Sequence, residues 1–247
     1  CSRTCDKTPI LTFFDPTIKS SDINDTGLKP NTMDTEGEAL ADVAYGLFEV
    51  FLNTELRKQG NNLFELVENN TEFSAAFNEI FSSFSIDYPF LADALTDEYG
   101  STDAIYHLFT EGEGVIPTKT TKIFWILLDA PGYDPGCVDA EKAGKWLIFL
   151  EPSRTDELWK KIRNATAAGK LGISAKVSTA KHNPESRDER MVIYVYTRDW
   201  EDEENVMHVR EVLKDLGVTD RIGYKRNIET FLGEYSEKGK KVTYYTA

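Results

Sequence analysis

Apolar positions recur at helical spacing in the first half of the chain and at strand spacing in the second. Leu40, Val43, Ala44, Leu47, Val50 and Phe51 predict a helix running from Gly37 to near Gly60. Asn61 or Asn62 caps a short helix over 63–67, and Thr71 or Glu72 opens another that carries Phe73, Phe77, Ile80 and Phe81. A further helix spans 88–99, and Ser101 or Thr102 caps a last one through Leu108. The aromatics Phe48, Phe51, Phe64, Phe73, Phe77, Phe81, Phe84 and Phe90 read as the core of this helical part. Residues 1–36 are rich in Thr, Ser, Asp, Asn and Pro and predict an extended arm, with Ile10–Phe14 able to pack onto the body.

Gly112–Pro117 reads as a linker, and beyond it the period changes to that of strands. Strands are predicted over 122–128, 145–150, 173–178, 191–197, 221–225 and 241–246. Helices over 152–168 and 201–216 separate them, each closed by glycine, with a helical turn at 227–232. The order β-β-α-β-β-α-β-β pairs strands mostly without crossover helices. The fold class is therefore α+β: a mixed, largely antiparallel sheet with helices on one face, preceded by a small all-helical subdomain. The units are 1–36, 37–118 and 119–247.

Composition supports a real core, at 40% hydrophobic and 12% aromatic. Charge separates the halves. Residues 1–140 hold 8 lysines and arginines against 24 acids, whereas residues 141–247 hold 20 against 18. An acidic chain of net −14 is poorly suited to broad nonspecific DNA binding, which needs phosphate neutralisation. No run reaches the ~18 apolar residues of a membrane span, and no leader pattern opens the chain, so a cytoplasmic protein is expected. Cys1, Cys5 and Cys137 imply no disulfide framework. No nucleotide-loop, hydrolase or metal motif is present, which predicts neither metal nor cofactor. His107, His182 and His208 are scattered.

What chemistry remains is a set of cations near strand ends: Lys145, Lys176, Lys181 with His182, Arg198, and Lys225 with Arg226. Strand alternation puts Val192, Tyr194, Tyr196 and Arg198 on one face, and Lys176 on the face of Ser174 and Ser178. If these strands are neighbours, Lys176, Tyr194, Tyr196, Arg198 and Lys225 converge into a pocket for an anion, where arginine offers a fork and lysine a point charge. An ordinary solvated sheet face is the alternative.

Five blocks carry a resemblance: KIFWILLDAPGY, GKWLIFLEPSRTDELWKKI, GKLGISAKVST, VIYVYTRDWEDEENVMHVREVL and YKRNIETFLGEY. Over roughly 120–247 the chain resembles the family that includes the basophilic leukaemia-expressed protein. The resemblance implies a curved antiparallel sheet backed by helices, similar to that of the cap-binding translation initiation factor, and a phosphothreonine-lyase-like label. The lyase likeness makes Lys176 in SAKVST the base for β-elimination and points to Tyr196 and Arg198 in YVYTRD. The histidine acid it implies on KWLIFL is missing, and His182 lies elsewhere. The cap-binding likeness implies base stacking by tryptophan, for which Trp146 and Trp200 lie near strand termini; Trp159 reads as core.

Together these readings give a binding module for a phosphorylated or nucleotide-like ligand, with Lys145, Lys176, Tyr196, Arg198 and Lys225 as phosphate contacts. The ligand is a phosphorylated small molecule, a nucleotide or a phosphopeptide. The alternatives are a lyase using Lys176 and His182, and an adaptor whose acidic residues 37–118 recruit a basic protein.

Overall fold

A computed structural model describes residues 32–183, 189–231 and 243–247. The sequence-predicted arm over 1–36 falls mostly outside them. Its last residues are helical: α1 runs Thr32–Lys58, five residues earlier than the apolar spacing marks.

Four more helices complete the helical layer: α2 (Leu63–Glu68), α3 (Ser74–Asp87), α4 (Pro89–Tyr99) and α5 (Thr102–Thr110). Pro89 opens α4, where its fixed φ suits a first helical position. The Ser101 hydroxyl accepts the Ala104 N–H and caps α5. Phe48 is the hub of the packing. Its ring meets Phe77, Phe81, Phe84 and Phe109 at 5.1–6.0 Å, mostly edge to face.

Two expectations about this layer fail. The face of α1 that packs inward is Ala41, Ala44, Tyr45, Phe48, Leu52 and Leu56, whereas Leu40, Val43, Leu47 and Val50 point to solvent. Of the positions the spacing marks, Ala44 is buried and Phe51 packs against the core; both faces of α1 are apolar, so periodicity alone does not choose between them. Phe90 is not core either: it is 85% exposed at the start of α4.

The 112–117 segment is not a loose tether. Gly112 and Gly114 take positive φ, and Glu113 turns inward to accept the Thr121 and Lys122 N–H groups at 2.8 and 2.9 Å. That carboxylate satisfies backbone donors that a buried turn would otherwise leave unmade.

The sheet contains β1 (Trp125–Asp129), β2 (Gly144–Leu150), β3 (Ser174–Ser178), β4 (Met191–Thr197), β5 (Gly223–Arg226) and β6 (Tyr245–Thr246). Its order is β1-β3-β4-β2-β5-β6 and every pairing is antiparallel, in an open curved sheet. Helices α6 (Pro152–Ala167) and α7 (Glu203–Asp215) back one face, and α8 (Asn227–Phe231) follows β5. Ile126, Leu128, Trp146, Ile148, Ala175, Val177, Ile193, Val195 and Tyr224 line that inner face and are buried. Their apolar surfaces are contiguous with the core of the helical layer.

Glycine is required at two points. A Cβ at Gly144 would strike the Tyr224 ring, whose hydroxyl bonds Thr197 Oγ1 at 2.6 Å. A Cβ at Gly172 would sit 2.0 Å from the Tyr196 carbonyl, which accepts the Ile173 N–H.

Two buried arginines fasten the parts. Arg163 on α6 gives Nη2 to Glu68 of α2 at 2.8 Å and lies 4.0 Å over the Phe64 ring. Arg210 on α7 donates to the carbonyls of Ala247, Val218 and Asp220 at 2.8–3.1 Å. One guanidinium thereby donates to two carbonyls of the segment after α7 and to that of Ala247.

Candidate anion-binding face of the sheet

Strand alternation sends the other set of side chains to the face away from α6 and α7. Register then fixes who meets whom. Lys176 on β3 lies opposite Tyr194 on β4 and Leu127 on β1. Tyr196 lies opposite Ser174 on one side and Lys145 on the other, and Lys145 in turn opposes Lys225 on β5. Lys145, Lys176 and Lys225 therefore share one face across three strands.

The side chains converge. The Lys145 and Lys176 ammoniums stand 5.2 and 5.3 Å from the centroid of the same Tyr194 ring. Lys176 Nζ also lies 4.0 Å over Trp125, and Lys145 Nζ lies 5.5 Å from Tyr196. Trp125 stacks on Tyr194 at 5.3 Å, and Tyr196 meets Tyr194 edge-on. Each ring presents π density to a cation and attracts it. The three lysines are 7–9% exposed, far below the usual exposure of lysine. Leu127 and Phe149 flank this cluster on the same face and are about half exposed.

Arg198 keeps the parity of Tyr194 and Tyr196 but stands farther along. Its position on the chain is four residues, ~13 Å of strand, beyond Tyr194. Its Nη1 lies 3.5 Å from the Cys137 carbonyl. Burial raises the Tyr133 phenol to about 12, with the Asp129 carboxylate adding to the rise and Arg198 opposing it. Burial likewise raises Asp129 above the ordinary carboxylate value, while the Ser174 hydrogen bond and Arg57 pull it down.

Other expected site residues fall elsewhere. Trp146 faces inward, is fully buried and donates Nε1–H to the Val206 carbonyl at 3.1 Å, so it has no ring face for a ligand. Trp159 is core. His182 is exposed in the loop after β3. Its neighbour Lys181 turns to Asp42 and the Lys122 carbonyl, at 2.6 and 2.7 Å. Trp200 lines a separate cleft of about 310 Å³ with Asp139, Glu141, Lys142, Glu201, Arg226, Ile228 and Glu229. There the Arg226 guanidinium lies between Trp200 and Tyr244, 4.8 and 4.5 Å from their centroids, and pairs with Glu229 at 2.9 Å.

Residues 140–233 match the family model described as the basophilic leukemia-expressed protein Bles03. It is the family that the sequence blocks resemble. The Bles03 match spans β2 to β5, and so includes Lys145, Lys176, Tyr194, Tyr196 and Lys225; Trp125 lies before it.

Among solved structures the chain is similar to Ascaris suum eIF4E-3, solved with an m2,2,7G cap, at 21% identity and a TM-score of 0.31; the similarity covers 40% of this chain and 60% of that one. Schistosome eIF4E complexed with m7GpppA and 4E-BP is similar at 16% identity and 0.34, covering 44% and 62%. C. elegans eIF4E-3, solved with the 4E-binding protein Mextli and a cap analogue, gives 16% and 0.38, covering 59% and 80%. The chain thus spans about 60% of the length of the first two. Likeness at this level does not name a ligand.

Proposed function

We propose that the outer face of the sheet binds a phosphorylated, nucleotide-like anion. The observation that carries this reading is the convergence of two lysine ammoniums on the Tyr194 ring, with Lys225 in register beside Lys145. Phosphate oxygens take several N–H donors at once, and charge-assisted bonds of this kind are about twice as strong as neutral ones. Trp125, Tyr194, Tyr196 and the exposed Leu127 and Phe149 supply flat and apolar surface for the rest of the ligand. Arg198 sits at the far end of the same face, placed for a second anionic group.

Catalysis by β-elimination draws no comparable support. Among the described residues, no histidine is in contact with Lys176, and β2 carries none. Trp200 offers a second aromatic surface, but its cleft holds four carboxylates against two basic groups and suits an anion less well.

Isothermal titration with guanosine diphosphate, inorganic phosphate and an uncharged nucleoside tests the reading. The diphosphate is expected to bind more tightly than either part alone, and to weaken as salt rises. Lys145→Met and Lys176→Met are each expected to weaken it roughly tenfold. Equal binding by wild type and both variants would refute the assignment.

A further inference from the structure

The outward side of α1 carries an apolar stripe that is exposed rather than packed in the core of the described residues. Leu40, Val43, Leu47 and Val50 follow one another at spacings of three and four and are 38–56% exposed. Residues at that spacing form a single ridge along a helix. No charged residue interrupts the ridge, because Asp42 and Glu49 point to other sides of α1. The ridge does not end with α1. The Phe51 ring lies 5.5 Å from Phe84 and 6.4 Å from Tyr88, which leads to the α3–α4 corner. There Ile86 and Phe90 are 81% and 85% exposed. Exposed apolar side chains gathered in this way mark an interaction site more often than scattered exposed leucines do.

The charge around it is one-sided. Residues 37–118 carry fifteen acids and two basic residues, Arg57 and Lys58. Asp87 is exposed between Ile86 and Tyr88, and exposed Asp93 and Asp97 share the face of α4 that presents Phe90. A second copy of this chain would bring acid against acid, at a net −14 each. An anionic lipid surface would be repelled for the same reason.

We propose that this surface docks an amphipathic helix of a partner protein, with its apolar face on the α1 ridge and basic residues on Asp87, Asp93 and Asp97. A ridge of four apolar positions at these spacings matches the anchors of a helix laid against it. The proposal stands apart from the sheet-face reading, since its residues lie on α1, α3 and α4 and not on the strands.

The probe is a labelled leucine–lysine amphipathic peptide of about 18 residues, five helical turns. It is titrated into the full chain by fluorescence anisotropy, with circular dichroism following peptide helicity. Saturable binding with a gain of peptide helicity is expected. Leu47→Asp should weaken it roughly tenfold to a hundredfold, and Val43→Ser less. Asp93→Lys with Asp97→Lys should weaken it and flatten its salt dependence. Because Leu47→Asp adds negative charge, association by charge alone would strengthen. Unchanged or tighter binding by that variant would overturn the proposal, as would no binding to wild type. Self-association of wild type in sedimentation that Leu47→Asp abolishes would also overturn it, by assigning the ridge to a second copy.

Discussion

The helical layer and the outer face of the sheet use aromatic rings in opposite ways. In the centre of the helical layer, rings meet rings: Phe48 packs on four phenylalanines, and cations touch rings only at its margin, Arg163 over Phe64 and Lys122 over Tyr99. On the outer sheet face, rings meet ammoniums: Trp125, Tyr194 and Tyr196 hold Lys145 and Lys176. The first arrangement removes apolar area from water and stabilises the fold. The second keeps charged groups in a fixed place at low exposure, which costs desolvation and adds little to a core already supplied by the inner face. If the proposed function holds, the contrast separates residues that hold the structure from residues that meet the anion.

The hardest test of that separation is Phe48→Ala. It removes the hub of the aromatic packing and is expected to cost about 3–5 kcal/mol. All four tryptophans lie between 125 and 200, so their fluorescence reports the sheet side alone. Because the buried cluster is contiguous and Arg163 bonds Glu68 across the layers, urea transitions followed by tryptophan fluorescence and by far-UV circular dichroism should fall together. A fluorescence transition that stays at the wild-type midpoint would show that the two parts unfold separately.

Next in size is Arg210→Met, which removes the donor of the Val218 and Asp220 carbonyls and one of the two donors of the Ala247 carbonyl, and is expected to cost about 2–4 kcal/mol by denaturant titration. It should leave nucleotide affinity unchanged, since Arg210 lies behind the sheet.

Glu49 gives a pH-dependent comparison. It is buried on α1 beside a small cavity lined by Trp159, Arg163 and Leu127, and its Oε1 accepts from Asn53 at 2.7 Å. Burial raises its carboxyl to about 8 from the ordinary 4.5, against the opposing pull of Arg57 and Asn53. The folded value is the higher one. Stability is therefore fully present below about 4.5 and is lost as pH rises to about 8, because the unfolded chain releases its proton first. Glu49→Gln should remove that decline and gain roughly 1–3 kcal/mol at pH 8 relative to wild type. A wild-type stability that rises across this window would contradict the assignment.

Smallest is Leu47→Ser on the exposed ridge, expected to change the midpoint by less than ~0.5 kcal/mol. A larger loss would mean that the ridge belongs to the core after all.

Much of the fold is legible in the chain because local signals agree with the global outcome. MVIYVYT is β4 to the residue, and Gly217 closes the α7 region with positive φ. The α1 face was not legible, since Leu40 and Phe48 are equally apolar and only contact decides between them. The KIFWILL run is continuous, so it gave no alternation by which Trp125 could be placed beside Lys176. Trp146 follows Lys145 directly; once Lys145 faces outward, Trp146 must face in, but the facing itself is set by pairing. Arg163 and Arg210 carry no local mark of burial, because their partners lie 8 to 95 residues away.

The most direct test of the account is a double-mutant cycle between Lys145→Met and Lys176→Met, read as guanosine diphosphate affinity. If both ammoniums serve one anion over the Tyr194 ring, the two losses will not add: the double variant will bind about as weakly as the poorer single one. Strictly additive losses, or no loss from either change, would show that the two lysines do not form one site.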